Sequence, residues 1–143
     1  MREIVLDNPQ LFQNLIELKD YDLYIDLHND YYCCLIEYSN ILQTIKINFN
    51  RSSILNDIGS VVIIFSGAEI AKIDFLLDSS IQMKLTLDTL YRGRFEIDSE
   101  LYEYRDKNKA YYYIDFYEEN HSMEIFAEAL RIIVYDNNEL RCP

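Results

Sequence analysis

The chain has 143 residues, half of them hydrophobic, and carries 25 Asp and Glu against 13 Lys and Arg, a formal net charge of −12. That length fits a single domain, residues 1–143, whose core needs no staple, and the hydrophobic content excludes intrinsic disorder. The charge repels phosphate backbones and anionic lipid surfaces, so nucleic acid and membranes are not expected partners, whereas a basic protein is favoured.

Arg2 to Leu6 reads as a short strand. Asp7 or Asn8 then offers a helix cap, and Pro9 suits a first turn. Leu11, Phe12, Leu15, Ile16 and Leu18 form a stripe at helical spacing, which predicts an N-terminal helix over about 9–19. From Tyr21 the period becomes two, with Leu23, Ile25 and Leu27 on one face and Asp22, Tyr24, Asp26 and His28 on the other. Asn29-Asp30 predicts a hairpin into YYCCLIEY, and Ser39-Asn40 a second turn into ILQTIKINF. The β-branched run VVIIF suits a central buried strand, with AEIAKIDFLL beyond Gly67 as its expected partner.

In IQMKLTL, Met83, Leu85 and Leu87 share one side. LYEYRD and AYYYIDFYEE predict a hairpin around Lys107-Asn108. In its second arm Tyr112, Ile114 and Phe116 face inward, and Tyr111, Tyr113, Asp115 and Tyr117 face outward. HSMEIFAEALRIIVYD fits two periods. Met123, Phe126, Ala127, Leu130 and Val134 match a second helix over about 123–131 capped by Ser122, while Met123, Ile125, Ala127 and Ala129 match a strand. The expected fold class is α+β: predominantly antiparallel β, as a curved sheet or sandwich, with the helix at 9–19 and either structure at 123–131.

The longest uncharged run, Ile58 to Ala68, has 11 residues, against the roughly 20 that a bilayer span requires. The first residues, MREIVLDNPQ, show no basic stretch followed by an apolar one, so no secretory signal is expected. The cysteines are Cys33, Cys34 and Cys142, an odd count with no CxxC. A disulfide framework is therefore not expected, and the expected compartment is the cytoplasm.

Catalytic motifs are missing. Gly59, Gly67 and Gly93 form neither a P-loop nor GxGxxG, and no GxSxG occurs. His28 and His121 are too few for a structural zinc site, and no DxDxDG calcium loop is present. Asp22 and Asp26 lie about 13 Å apart along a strand, outside both glycosidase windows. Cys33 and His28 suggest a nucleophile pair, but vicinal cysteines on a strand place at least one in the core as a small apolar residue. No catalytic residue, metal or cofactor is expected, and the chain is not expected to be an enzyme.

Thirteen Tyr and seven Phe are more informative. About half of them fill inward strand positions. The outward ones alternate with acids, a pairing that suits an Arg- and Lys-rich partner through cation–π contact and ion pairs. The expected contact residues are Tyr113, Asp115 and Tyr117, with Glu118 and Glu119 after them, and Asp22, Tyr24 and Asp26 as a second patch.

The stretch LTLDTLYRGRFEIDSELYEY, with YYYIDFYEE and MEIFAEALRIIVYD after it, resembles the C-terminal part of small bacterial immunity proteins of polymorphic toxin and contact-dependent inhibition systems. It covers about residues 85–136. The resemblance implies an acidic cytoplasmic protein that binds one cognate basic toxin domain, often a nuclease, and covers its active site or substrate groove. It carries over no catalytic residue. Two other functions remain open at this point: a phage-encoded nucleic-acid mimic, which needs acids in a regular row, and a small carboxylate-based hydrolase, which needs converging carboxylates in a pocket.

Overall fold

The computed structural model describes residues 2–6, 9, 13–20, 23–53, 57–75, 84–97, 100–102, 105–106 and 108–136. Among these residues the chain forms strands and turns and no helix. In chain order the strands are β1 (Arg2–Leu6), β2 (Glu17–Asp20), β3 (Leu23–Asp26), β4 (Tyr31–Ser39), β5 (Thr44–Arg51), β6 (Ile58–Ser66) and β7 (Glu69–Phe75). The second half supplies β8 (Leu87–Arg92), β9 (Arg94–Ile97), β10 (Glu100–Tyr102), β11 (Arg105–Asp106), β12 (Lys109–Phe116), β13 (His121–Ala127) and β14 (Ala129–Asp136).

Two antiparallel sheets dominate. The first has the order β1-β14-β6-β5-β4. The second has the order β11-β12-β13-β7, with β8 sharing the edge of β12 that β11 uses. Two ladders of two strands, β2-β3 and β9-β10, complete the described pairing.

The chain passes between the sheets at one corner. β6 leaves the first sheet and continues as β7 in the second, turning at Gly67 with φ +57°. Beside it, β13 of the second sheet continues as β14 of the first, turning at Glu128. The Glu128 N–H donates to Ser66 O at 2.9 Å, so the two turns are bonded to each other. A side chain at position 67 would meet the exposed Glu128 side chain at 2.6 Å, which would have to swing aside, so it is the left-handed backbone that calls for glycine at this corner.

The core lies between the two inner faces. Ile45, Ile47 and Phe49 of β5, and Val61, Ile63 and Phe65 of β6, meet Leu90, Tyr112, Ile114, Phe116, Met123 and Ile125 from the second sheet. Phe65 and Tyr112 touch across the gap, edge to face, with ring centroids 5.1 Å apart. Each such side chain contributes about 1.5–3 kcal/mol by leaving water. Inward positions alternate with outward ones along β12, as the period of two requires.

Four sequence expectations are corrected. The fold is all-β over the described residues, not α+β. The helix at 9–19 does not form, because residues in its range bond to distant strands. Leu15 N–H donates to Leu90 O at 2.9 Å, and Ile16 O accepts from Leu27 N–H at 2.8 Å. Asn14 Oδ1 accepts the Ile16 N–H, a local turn that competes with helix. Glu17–Asp20 then pairs with β3, which buries Leu18 against Ile25 and leaves Lys19 exposed. Leu18 thus serves a strand, and Leu11 and Phe12 of the expected stripe lie outside the described residues.

Over 123–131 the strand alternative is the observed one: β13 and β14, broken only at Glu128. β7 pairs with β13 rather than with β6, because the turn at Gly67 carries it into the other sheet. Finally, Asn29-Asp30 does not close a hairpin: β3 pairs with β2 and β4 with β5. No helix among the described residues is long and apolar enough to cross a membrane.

Candidate functional site

The outer face of the second sheet gathers most of the outward tyrosines. With Leu90, Tyr112, Ile114, Met123 and Ile125 turned inward, their neighbours Tyr91, Tyr111, Tyr113 and Glu124 turn outward. Register sets the neighbours: Tyr113 lies between Tyr91 of β8 and Glu124 of β13. The Tyr91 and Tyr113 rings are tilted at 35° with centroids 5.7 Å apart. Tyr111 packs edge to face on Phe126 at 5.6 Å, and its hydroxyl donates to Glu124 Oε1.

Asp115 sits one step along the same face, between Thr89 and Ser122. The β8 ladder is irregular here. Asp115 opposes Thr89 but Phe116 opposes Leu87, so Asp88 is the extra residue of a bulge. Bulges re-aim side chains, and this one brings Asp88 close enough to act on Asp115. Partial burial raises the Asp115 carboxyl above its ordinary range, and the Asp88 charge raises it further. Burial pushes the Tyr91 hydroxyl up to about 12, with Tyr113 and Asp115 adding to it, and raises Tyr113, helped by Asp115 and Glu124. No Lys or Arg among the described residues makes an ion pair with Asp88 or Asp115. Among the described residues Asp88 and Asp115 are therefore without an ion pair, although the same face carries Lys72, opposite Glu124, and Lys109, paired with Glu69.

The residues expected from sequence divide accordingly. Tyr113 and Asp115 lie at the centre of the face. Tyr117 stands at its end, 75% exposed, with its N–H bonded to Thr86 O at 2.8 Å. Glu118 is engaged, since its Oε2 accepts the Thr86 N–H at 2.7 Å. Glu119 is exposed, and its carbonyl accepts from the buried His121 Nδ1 at 2.9 Å.

The second patch comes apart. Asp22 lies outside the described residues. Tyr24 is exposed, with the Lys19 ammonium 5.6 Å from its ring centroid. Asp26 is buried and closes the turn after β3. Its Oδ1 accepts the N–H groups of His28 and Asn29 at 3.1 Å each, and its Oδ2 accepts Asn29 Nδ2 at 2.7 Å. Burial alone would raise this carboxyl, but the donors outweigh it and hold it below its ordinary value. Asp26 is thus a turn residue rather than a contact residue.

Tyr91, Glu124 and Asp88 were not singled out in the sequence, and Tyr111 was read as outward but not as a contact residue. The only available signal was for Glu124, which alternates with Met123 and Ile125 once that segment is taken as a strand.

Other chemistry finds little support. Cys33 is a buried free thiol, and burial pushes it up to about 12, so it stays protonated and unreactive. His28 Nδ1 donates to Leu87 O at 2.8 Å, which occupies the ring in holding β8. Cys34 is disulfide-bonded, where the sequence led to no expectation of a disulfide framework. No group of three metal-ligating side chains occurs among the described residues. A cavity of about 270 Å³ at the β4–β5 turn carries one carboxylate, Glu37, not the converging set that a hydrolase requires. On the tyrosine face the carboxylates are interleaved with rings, unlike the row that a nucleic-acid mimic needs.

Compared with protein-family models, curated proteins and solved structures, the chain matches none of them.

Proposed function

We propose that the protein is an immunity-type inhibitor that binds one cognate basic toxin domain, a nuclease in the leading version, and blocks its active site or substrate groove without turnover. The observation that carries this reading is the outer face of the second sheet, where Tyr91 and Tyr113 pack together beside the aspartates Asp88 and Asp115. An arginine from a partner meets ring faces and two carboxylates at once, which is cation–π contact combined with charge-assisted hydrogen bonding. Half-buried tyrosines lose little entropy on binding and are frequent hot spots. The net charge of −12 adds long-range steering. The stretch that resembles immunity proteins, about 85–136, contains Asp88, Tyr91, Tyr111, Tyr113, Asp115 and Glu124.

The test is co-expression with the C-terminal domain of the neighbouring toxin gene, followed by pull-down and a salt series. A complex that protects cells and weakens as salt rises is expected. Tyr113→Ala should weaken it by roughly thirtyfold or more, the loss typical of a hot spot. Recovery of the free protein, with no complex and no protection, sinks the reading. The cytoplasm belongs to the same proposal. The disulfide at Cys34 argues against it, since reducing compartments rarely keep such bonds. A thiol count on protein alkylated at the moment of lysis decides between them.

A further inference from the structure

The outer face of the first sheet is buried around Asn48, Asn50 and Ser60, with Val62 beside them only 4% exposed. These four are ladder neighbours: Asn48 opposes Val62, and Asn50 opposes Ser60. Val62 does not belong to the core cluster between the sheets, which lies on the other side of β6. Antiparallel sheets of this kind often leave the second face to water. Here Asn50 and Ser60 hold contacts beyond their mutual bond, and Tyr135, opposite Ser60, is also engaged. Something lies on this face.

A bulge in β4 identifies it. The β4–β5 ladder pairs Cys33 with Phe49 and Leu35 with Asn48, so Cys34 is the extra residue. Cys33 points into the core with Phe49. The bulge turns Cys34 away from it, with Leu35 and Asn48, and its Sγ lies 3.3 Å from Asn48 O. Cys34 is disulfide-bonded and Cys33 is free, and the sequence holds one other cysteine, Cys142. Elimination leaves Cys142 as the partner.

The length of chain agrees. Residues 137–143 lie outside the described residues, and β14 ends at Asp136. From β14 to β4 is about 14 Å across the sheet, and the two rows lie about 10 Å apart along the strands, roughly 18 Å in all. The stretch from Asp136 to Cys142, fully extended, reaches about 20 Å. It has little slack, and its direct course crosses β6 and β5 over Ser60, Asn50 and Asn48. A period of two puts Asn138, Leu140 and Cys142 on one side. That order sets a polar side chain over Ser60 and Asn50, an apolar one beside Val62, and the cysteine at Cys34.

We infer that residues 137–143 form a strap across the outer face of the first sheet, fastened by a Cys34–Cys142 disulfide that a dithiol can release. In the release a dithiol thiolate attacks one sulfur of the bond. The dithiol ends as its own disulfide, and its two electrons and two protons leave Cys34 and Cys142 as thiols. The reduced Cys34 then finds an acceptor already in place, Asn48 O. Covering of this sheet thereby depends on redox state.

The full chain tests the inference in two ways. Peptide mapping without reductant, on protein denatured in iodoacetamide, should find Cys34 linked to Cys142 and only Cys33 alkylated. Hydroxyl-radical footprinting then reads the strap itself. Val62 should be labelled several-fold more in wild type treated with dithiothreitol, and in the double variant Leu140→Asp with Cys142→Ser, than in untreated wild type. Ile63, on the same strand but facing the core, serves as the control and should not change. Alkylation of both Cys34 and Cys142 in the mapping overturns the inference. Unchanged labelling of Val62 in the double variant overturns the strap, and unchanged labelling in reduced wild type overturns its release. An equal rise at Ile63 shows the sheets parting instead, and overturns it as well. None of these results bears on toxin binding, which uses the other sheet.

Discussion

The two sheets share a core but treat their outer faces differently. In the first, β6 is buried along both faces: Val61, Ile63 and Phe65 point into the core, and Val62 and Ile64 on the opposite side are also buried. Beside it Asn48, Asn50 and Ser60 are buried, and Ser60 Oγ donates to Asn50 Oδ1 at 2.7 Å. In the second sheet the outer face is half-open around Tyr91, Tyr113 and Asp115, and neither Asp88 nor Asp115 is ion-paired with a described Lys or Arg. A strand buried on both sides contributes stability. A half-open face that holds the raised Asp115 carboxyl contributes less. The difference separates the most deeply buried strand of the fold from the face proposed to meet a partner.

The most severe way to break the first sheet is at its middle. Ile63 is fully buried on the central strand, between Ile47 and Ile132. Ile63→Ala should cost about 2–5 kcal/mol, the transfer term plus a cavity among neighbours that relax only in part. Urea unfolding followed by circular dichroism measures it. A loss below about 1 kcal/mol would mean that the core closes over the gap, and that β6 is not the strand on which the fold depends.

A smaller effect is expected where the sheets join. Gly67→Ala forces a side chain into a left-handed backbone and into the Glu128 side chain. The expected loss is about 1–3 kcal/mol. The double variant with Glu128→Ala removes the collision and leaves the backbone strain, so it should recover part of the loss and not all of it. Full recovery in thermal melts would show that the contact matters and the φ angle does not.

The corner also shows why parts of the fold were hidden in the sequence. Along β12 the alternation is clean, so Tyr112, Ile114 and Phe116 were legible as inward, and Tyr113 and Asp115 as outward. At Leu15 to Leu18 apolar spacing fits helix and strand equally. The choice was made by partners far away in sequence, Leu90 and Leu27. Gly67 was visible as a turn residue, but nothing local says that the chain changes sheets there. Tyr91 was missed because the bulge at Asp88 spaces Leu87 and Leu90 three apart and conceals the strand period. Asp26 was misassigned because alternation gives a direction and not a partner. Its carboxylate turns back onto three donors of its own turn.

The finest test lies on the open face itself, where stability and binding should move in opposite directions. The Asp115 carboxyl is raised in the folded state, first by burial and then by Asp88. A carboxyl whose folded value is raised favours the protonated form. Its stabilising contribution is complete below the unfolded value of 3.8 and is lost as pH rises through the folded one. At neutral pH the wild type has therefore lost that contribution, and Asp115→Asn restores a neutral group of the same shape. The site is partly open to solvent, which screens part of the effect. The expected gain is thus a rise in Tm of about 1–3 °C at pH 7. It should shrink towards zero as pH falls to about 3.5, where both proteins are neutral at this position. The same substitution removes one of the two charges offered to a basic partner, so complex formation should weaken as the melting point climbs. A variant that is no more stable at pH 7 would show that Asp115 is already compensated, and the contrast between the two sheets would then rest on the tyrosines alone.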